Sequence, residues 1–171
     1  MERIKALIRD VPDFPKKGIV FKDITPVLGD AQAFATAIRA LAARYRPLKP
    51  THVAGIESRG FILAAALALE LGTGFVPLRK PGKLPCRVRR REFTLEYGKD
   101  AIEIHEDGLK KGDRVVLVDD VIATGGTARA GADLVRDLGA ELLEIAFLVE
   151  LSFLDGRKKL AGEKIFSLLT Y

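Results

Sequence analysis

The sequence is short of the residues from which disulfide and metal frameworks are made. Cys86 is the only cysteine among 171 residues, so no intramolecular disulfide can close and no cysteine-rich zinc site can assemble. The two histidines, His52 and His105, are far apart and offer no paired-ligand spacing. Long apolar runs are missing too: Phe61 to Leu69 is nine residues, against the roughly 20 needed to span a bilayer. The opening "MERIKALIRD" is charged throughout and lacks the apolar core of a secretory signal, so the expected location is the cytoplasm, with no membrane contact.

What the chain does contain suits a soluble globular protein. It is 48% hydrophobic and 30% charged, and its length fits one domain over residues 1–171 that buries most of its apolar surface unaided. The net charge of +5 is unevenly spread. "RKPGKLPCRVRRR", Arg79 to Arg91, holds seven basic residues in thirteen and no acid. Such a cluster repels itself unless an anion visits, and three readings compete: a solvated loop, a site for small-molecule phosphates, or a nucleic-acid contact.

Periodicity organises the rest. Ile4, Leu7 and Ile8 predict a short helix over 2–9, ended by "VPDFP"; residues 16–28 read as extended. Asp30 caps a helix carrying Phe34, Ile38, Leu41, Ala42 and Tyr45 on one face. Strand, turn, helix, strand then occurs twice. The first unit has strands at 52–57 and 75–79 around a helix closed by Gly72; the second has strands at 114–118 and 142–150 around a helix from Thr127 to Leu138. Near-continuous apolar strands alternating with helices predict an α/β fold with a parallel sheet flanked by helices. Between the units, alternation around "YGKD" predicts an antiparallel hairpin or flap, and "IFSLLTY" a terminal strand.

The densest chemistry lies in "VVLVDDVIATGGT", Val115 to Thr127. In an open parallel sheet ligands bind beyond the carboxyl ends of the strands, where Asp119 and Asp120 are expected. The following loop opens a helix whose first-turn amides and partial positive charge suit a phosphate, with Gly125 and Gly126 allowing close approach and Thr124 and Thr127 adding hydroxyls. A sugar phosphate satisfies both halves, its phosphate on the amides and its diol on the acids. A tight turn with an N-terminal cap accounts for the same residues without a ligand. Neither a Walker A loop nor a dinucleotide fingerprint is present.

This segment resembles the phosphoribosyl-pyrophosphate motif of the type I phosphoribosyltransferases. "FPKKGIVFKDITPVL", "GIESRGF", "RKPGKLP", "LEYGKD" and "FSLLTY" together resemble the adenine phosphoribosyltransferase family over almost the whole chain. The resemblance implies a type I phosphoribosyltransferase fold with a small N-terminal hood (about 1–30) and a flexible flap (about 84–106). It implies transfer of the phosphoribosyl group to N9 of adenine in purine salvage, giving AMP and pyrophosphate.

By the same likeness, Ala123, Thr124, Gly125, Gly126 and Thr127 hold the 5'-phosphate, and Asp119 and Asp120 the ribose hydroxyls. Ser58, Arg59, Arg79, Lys80 and Lys83 meet the pyrophosphate, with Glu57 setting the strand-end turn. Backbone groups of Val20 and Lys22 read adenine's edge while Val20 and Phe21 sandwich the ring. Glu96 handles the proton at N7 and Tyr97 helps close the flap, although an exposed strand position explains Glu96 equally simply. Mg²⁺ is expected on the substrate's pyrophosphate and ribose hydroxyls with no direct protein ligand, and a homodimer is expected, with no nucleic-acid partner. The hypoxanthine-guanine relatives commonly place Asp where this chain has Ala123, which argues against 6-oxopurines. Cys86 stands where many adenine enzymes have Gly. Two alternatives stay open: a phosphoribosyltransferase for another purine such as xanthine, and a non-catalytic regulator that senses phosphoribosyl pyrophosphate.

Overall fold

The computed structural model describes residues 1–14, 17, 18, 20–95 and 98–171. Helix α1 (Glu2–Leu7) stops earlier than its periodicity suggests, because β1 (Arg9–Pro12) pairs antiparallel with β2 (Val20–Asp23). The segment 16–28 is not simply extended. Within it the Asp23 carboxylate accepts from the Thr25 N–H at 2.9 Å and its hydroxyl at 2.6 Å, a turn that starts α2 (Thr25–Gly29) with Pro26 in its first positions, where a missing N–H costs nothing. Asp30 caps α3 (Ala31–Tyr45) as expected, accepting from the Ala33 N–H at 2.8 Å.

The chain then runs through β3 (His52–Ile56), α4 (Arg59–Leu71) and β4 (Gly74–Leu78) to a long antiparallel hairpin, β5 (Val88–Leu95) and β6 (Gly98–His105). It returns as β7 (Arg114–Ile122), α5 (Gly126–Asp137), β8 (Glu141–Glu150), the single turn α6 (Gly156–Lys159) and β9 (Ile165–Thr170). Five strands form one parallel sheet in the order β4-β3-β7-β8-β9. The order reverses between β3 and β7, which creates a crevice at their carboxyl ends.

Strand side chains alternate between two cores. Val53, Val116, Val118, Ala146 and Leu148 face α1, α3 and α4. Ala54, Ile56, Val115, Leu117, Ile145 and Phe147 face α5 and the inner side of β6, through Ile102 and Ile104. Two strands run past the limits set by their hydrophobicity. β7 continues through both aspartates because β8 extends beside it, pairing Asp119 with Phe147 and Ile122 with Glu150. The acids therefore sit on a strand rather than beyond one. The hairpin also starts its return at Gly98, so Lys99 and Asp100 belong to β6 rather than to a four-residue turn.

One ion pair locks α3 to the sheet. The Arg44 guanidinium donates twice to Glu144, at 2.6 and 2.7 Å, and lies 4.2 Å from the Phe166 ring centre. Burial alone would raise the Glu144 carboxyl, but the contacts to Arg44 and Tyr45 outweigh it and hold the group below its usual range. This stabilisation is present above the ordinary carboxylate pKa and is lost as pH falls through the lowered one. Because Glu144 stays buried without its partner, Arg44→Met is expected to cost about 3 kcal/mol in urea unfolding at neutral pH, with a smaller loss in acid.

Candidate active site

The crevice is framed by the turn after β3 and by the end of β7. Glu57 and Ser58, joined by a cis peptide bond, lead into α4, whose first turn passes directly against β7. Gly60 permits that approach: a Cβ there would lie 2.8 Å from Asp119 Oδ1 and 3.0 Å from the Val118 carbonyl. The contact sets Arg59 beside the acids, where its Nε donates to Asp120 Oδ2 and its guanidinium stands 4.9 Å from the Phe21 ring centre. Asp119 Oδ1 accepts from the Asp120 N–H at 2.8 Å. Burial first, and the charge of Asp120 second, push the Asp119 carboxyl well above its usual range. A carboxylate under this tension gains from any ligand that donates hydrogen bonds to it.

The loop from Ile122 to Thr127 is held by close packing of glycines. Gly125 has φ of +79° and precedes α5 without any capping side chain, so the first-turn amides are not capped by Gly125. A Cβ on Gly125 would run into the Gly156 carbonyl, and one on Gly156 into the Ala123 carbonyl. Above the loop lies the hairpin, since the space over Gly126 is bounded by the Thr94 carbonyl at 3.5 Å and the Phe93 ring at 3.6 Å.

The opposite wall is β2. Val20, Phe21 and Lys22 face the crevice, with Phe14 packed edge-on against Phe21 at 5.2 Å. Lys22 is not free to bind a ligand with its ammonium, which contacts Asp10 at 2.5 Å and lies 4.2 Å from the Tyr171 ring centre. What β2 offers is therefore its backbone and the apolar faces of its neighbours.

These walls enclose about 590 Å³. The cavity brings together Val20, Phe21 and Lys22 with Ser58 and Arg59, the acids Asp119 and Asp120, Ala123, Thr124 and Thr127, and Lys80. Gly125 and Gly126 shape the loop without lining the cavity. Among the lining residues that the sequence reading gave no role are Val121, Leu151 and, after β8, Phe153 and Leu154. The signal for Phe153 was weak, a single apolar side chain 67% exposed after a strand end.

The basic cluster does not act as one patch. Arg79 and Lys83 turn to Glu57, which also accepts from the Lys80 N–H at 2.9 Å. Burial would raise the Glu57 carboxyl, but these contacts hold it below its usual range. Arg91 binds Asp137 of α5 through two bonds of 2.7 Å, and Arg90 lies 3.5 Å from Glu92. Arg91 thus fastens the hairpin to α5, whereas Arg90 pairs within β5 itself. Glu96 and Tyr97 lie outside the described residues. Among the described residues no three potential metal ligands converge, and no helix is long and apolar enough to cross a membrane.

Comparison with known proteins identifies the fold and the family. Residues 27–165 match the model of the phosphoribosyl transferase domain. The adenine phosphoribosyltransferase of Geobacter metallireducens is 56% identical over 171 residues, all of both chains. The crystal structure of adenine phosphoribosyltransferase from Thermoanaerobacter pseudethanolicus superposes with a TM-score of 0.97 at 56% identity, covering 99% of each chain. That of the Saccharomyces cerevisiae enzyme, complexed with an imino-altritol bisphosphate and adenine, gives 0.94 at 41% identity, covering 98% of this chain and 97% of that one. The chain belongs to the phosphoribosyl transferase family and, within it, to the adenine phosphoribosyltransferases.

Proposed function

We propose that the crevice carries out adenine phosphoribosyl transfer with a fixed division of labour, as one domain of residues 1–171. The 5'-phosphate rests on the amides and hydroxyls from Ala123 to Thr127. The ribose diol donates to Asp119 and Asp120. Pyrophosphate leaves toward Ser58, Arg59 and Lys80, with Arg79 and Lys83 behind them; as the C1–O bond breaks its charge grows, and cations placed there stabilise it. The observation that carries this reading is the meeting of a raised carboxyl, an uncapped glycine loop and an apolar β2 wall around one cavity.

Adenine lies against Phe21 and is read by the backbone of Val20 and Lys22, because the Lys22 side chain is already engaged. Tyr171 then acts at a distance by keeping Lys22 in place. Tyr171→Ala is expected to raise KM for adenine about three- to tenfold while leaving KM for phosphoribosyl pyrophosphate unchanged. Tyr171→Phe retains the ring and should behave as wild type in the same steady-state assay.

Residues 1–30 form a hood over the base, and the hairpin of β5 and β6 forms a flap. On the flap, Glu96 takes the proton role at adenine N7 and Tyr97 helps exclude water, both carried by resemblance. Mg²⁺, which keeps several waters and rides on substrate phosphates, would sit on the pyrophosphate and ribose hydroxyls, with Asp119 and Asp120 reaching it through those hydroxyls rather than as direct ligands. It would supply charge neutralisation on the pyrophosphate and ribose hydroxyls. A cytoplasmic homodimer belongs to the same reading; the exposed Ile62 and Phe75, on α4 and the edge strand β4, support a second copy.

The test is turnover with adenine, hypoxanthine, guanine and xanthine. A site built around one purine edge rejects a mismatched edge by roughly 10⁴-fold. Ala123 provides no acid for a 6-oxopurine, so adenine should dominate; comparable rates with hypoxanthine, guanine or xanthine would overturn the assignment of the base. AMP formation at any enzymatic rate removes the purely sensing regulator.

A further inference from the structure

The cations assigned to pyrophosphate have carboxylate partners within the chain. The loop backbone is fixed from two sides: Glu57 accepts from the Lys80 N–H at 2.9 Å, and the buried Glu103 of β6 accepts from the Gly82 N–H at 3.0 Å. Arg79 and Glu103 also exchange backbone bonds of 2.8 and 2.7 Å. With its backbone held, Lys80 retains only side-chain freedom. Its ammonium contacts Asp100 of β6 and stands 5.6 Å from the ring of Phe93, the residue opposite Asp100 in the hairpin. The other Asp100 oxygen accepts from the Ala101 N–H at 2.8 Å, which fixes the carboxylate's orientation. Lys80 also lines the cavity, so one swing of its side chain separates flap from ligand.

We propose that Asp100 is a displaceable counter-ion for Lys80, a positioning residue that weakens the hold on pyrophosphate and so sets how readily this product leaves. Binding the anion draws Lys80 from Asp100, and departure of the anion returns it. The exchange ties occupancy of the leaving-group site to β6, and hence to the flap. Lys80 and Asp100 side chains are 38% and 27% exposed, so the contest is modest in energy. The inference rests on the reading that Lys80 meets pyrophosphate.

The experiment is a double-mutant cycle on the full chain, reading the pyrophosphate inhibition constant with KM for adenine as the control. Asp100→Asn should tighten pyrophosphate about two- to fivefold, the scale of a partly exposed ion pair, with adenine KM unmoved. Lys80→Met should weaken pyrophosphate, and in that background Asp100→Asn should have no further effect. If Lys80→Met leaves pyrophosphate unchanged, the assignment of Lys80 itself fails and the inference falls with it. If Lys80→Met weakens binding but Asp100→Asn fails to tighten it, or acts equally in both backgrounds, the counter-ion role is wrong while the site assignment stands.

Discussion

Replacing both Asp119 and Asp120 with asparagine is expected to lower kcat/KM for phosphoribosyl pyrophosphate by about 10²- to 10⁴-fold, since each acid loses a charge-assisted hydrogen bond worth about 1.5–3 kcal/mol. The same change should not unfold the protein. Asp119 is held above its ordinary pKa of 3.8, first by burial and then by the charge of Asp120. The folded chain thus binds that proton more tightly than the unfolded chain does. Stability falls as pH rises from the ordinary value through the raised one, and above that the cost is complete. Asp119→Asn removes this cost and retains an acceptor for the Asp120 N–H. Its melting temperature should rise by about 2 °C or more at pH 8 and by less at pH 5. Activity and thermal stability would then move in opposite directions, as expected for acids placed for a ligand. A melting temperature that falls together with activity would mark them as structural.

The second large effect concerns backbone shape. Gly125→Ala puts a side chain at a φ of +79°, a conformation costing an L-residue about 1–2 kcal/mol, and drives its Cβ toward the Gly156 carbonyl. The loop must shift, and a displacement near 1 Å at a positioning element can cost about 10²-fold in rate. KM for phosphoribosyl pyrophosphate should rise and kcat fall, with adenine KM little changed. Gly156→Ala should reproduce the defect from the other side of the contact, since its Cβ meets the Ala123 carbonyl. If Gly125→Ala keeps its affinity for phosphoribosyl pyrophosphate within twofold, the phosphate does not sit on this loop.

How much of this was legible in the sequence depends on whether the governing contact is local. The glycine loop, the Asp30 cap and the apolar runs of β3 and β7 are written in neighbouring residues, and the structure matches them. The extension of β7 through Asp119 and Asp120 was not legible, because it depends on the length of β8 beside it. The start of α2 was hidden for another reason: Pro26 reads as a breaker unless the Asp23 turn ahead of it is recognised. Seven basic residues in thirteen left a solvated loop, a phosphate site and a nucleic-acid contact open, and nothing local showed that Glu57, Asp137 and Asp100 approach from other parts of the chain and divide the cluster. The glycine at 156, lying outside every motif, gave no hint that it packs against the loop from Ala123 to Gly125.

The most direct measurement is a crystal structure with AMP bound. The phosphate oxygens should lie within about 3 Å of the amides of Gly125 to Thr127. The ribose hydroxyls should reach Asp119 and Asp120, and the base should lie against Phe21 with its edge on the β2 backbone. A phosphate seated instead on the loop from Arg79 to Lys83, with the two acids free of the ribose, would contradict the assignment of the crevice.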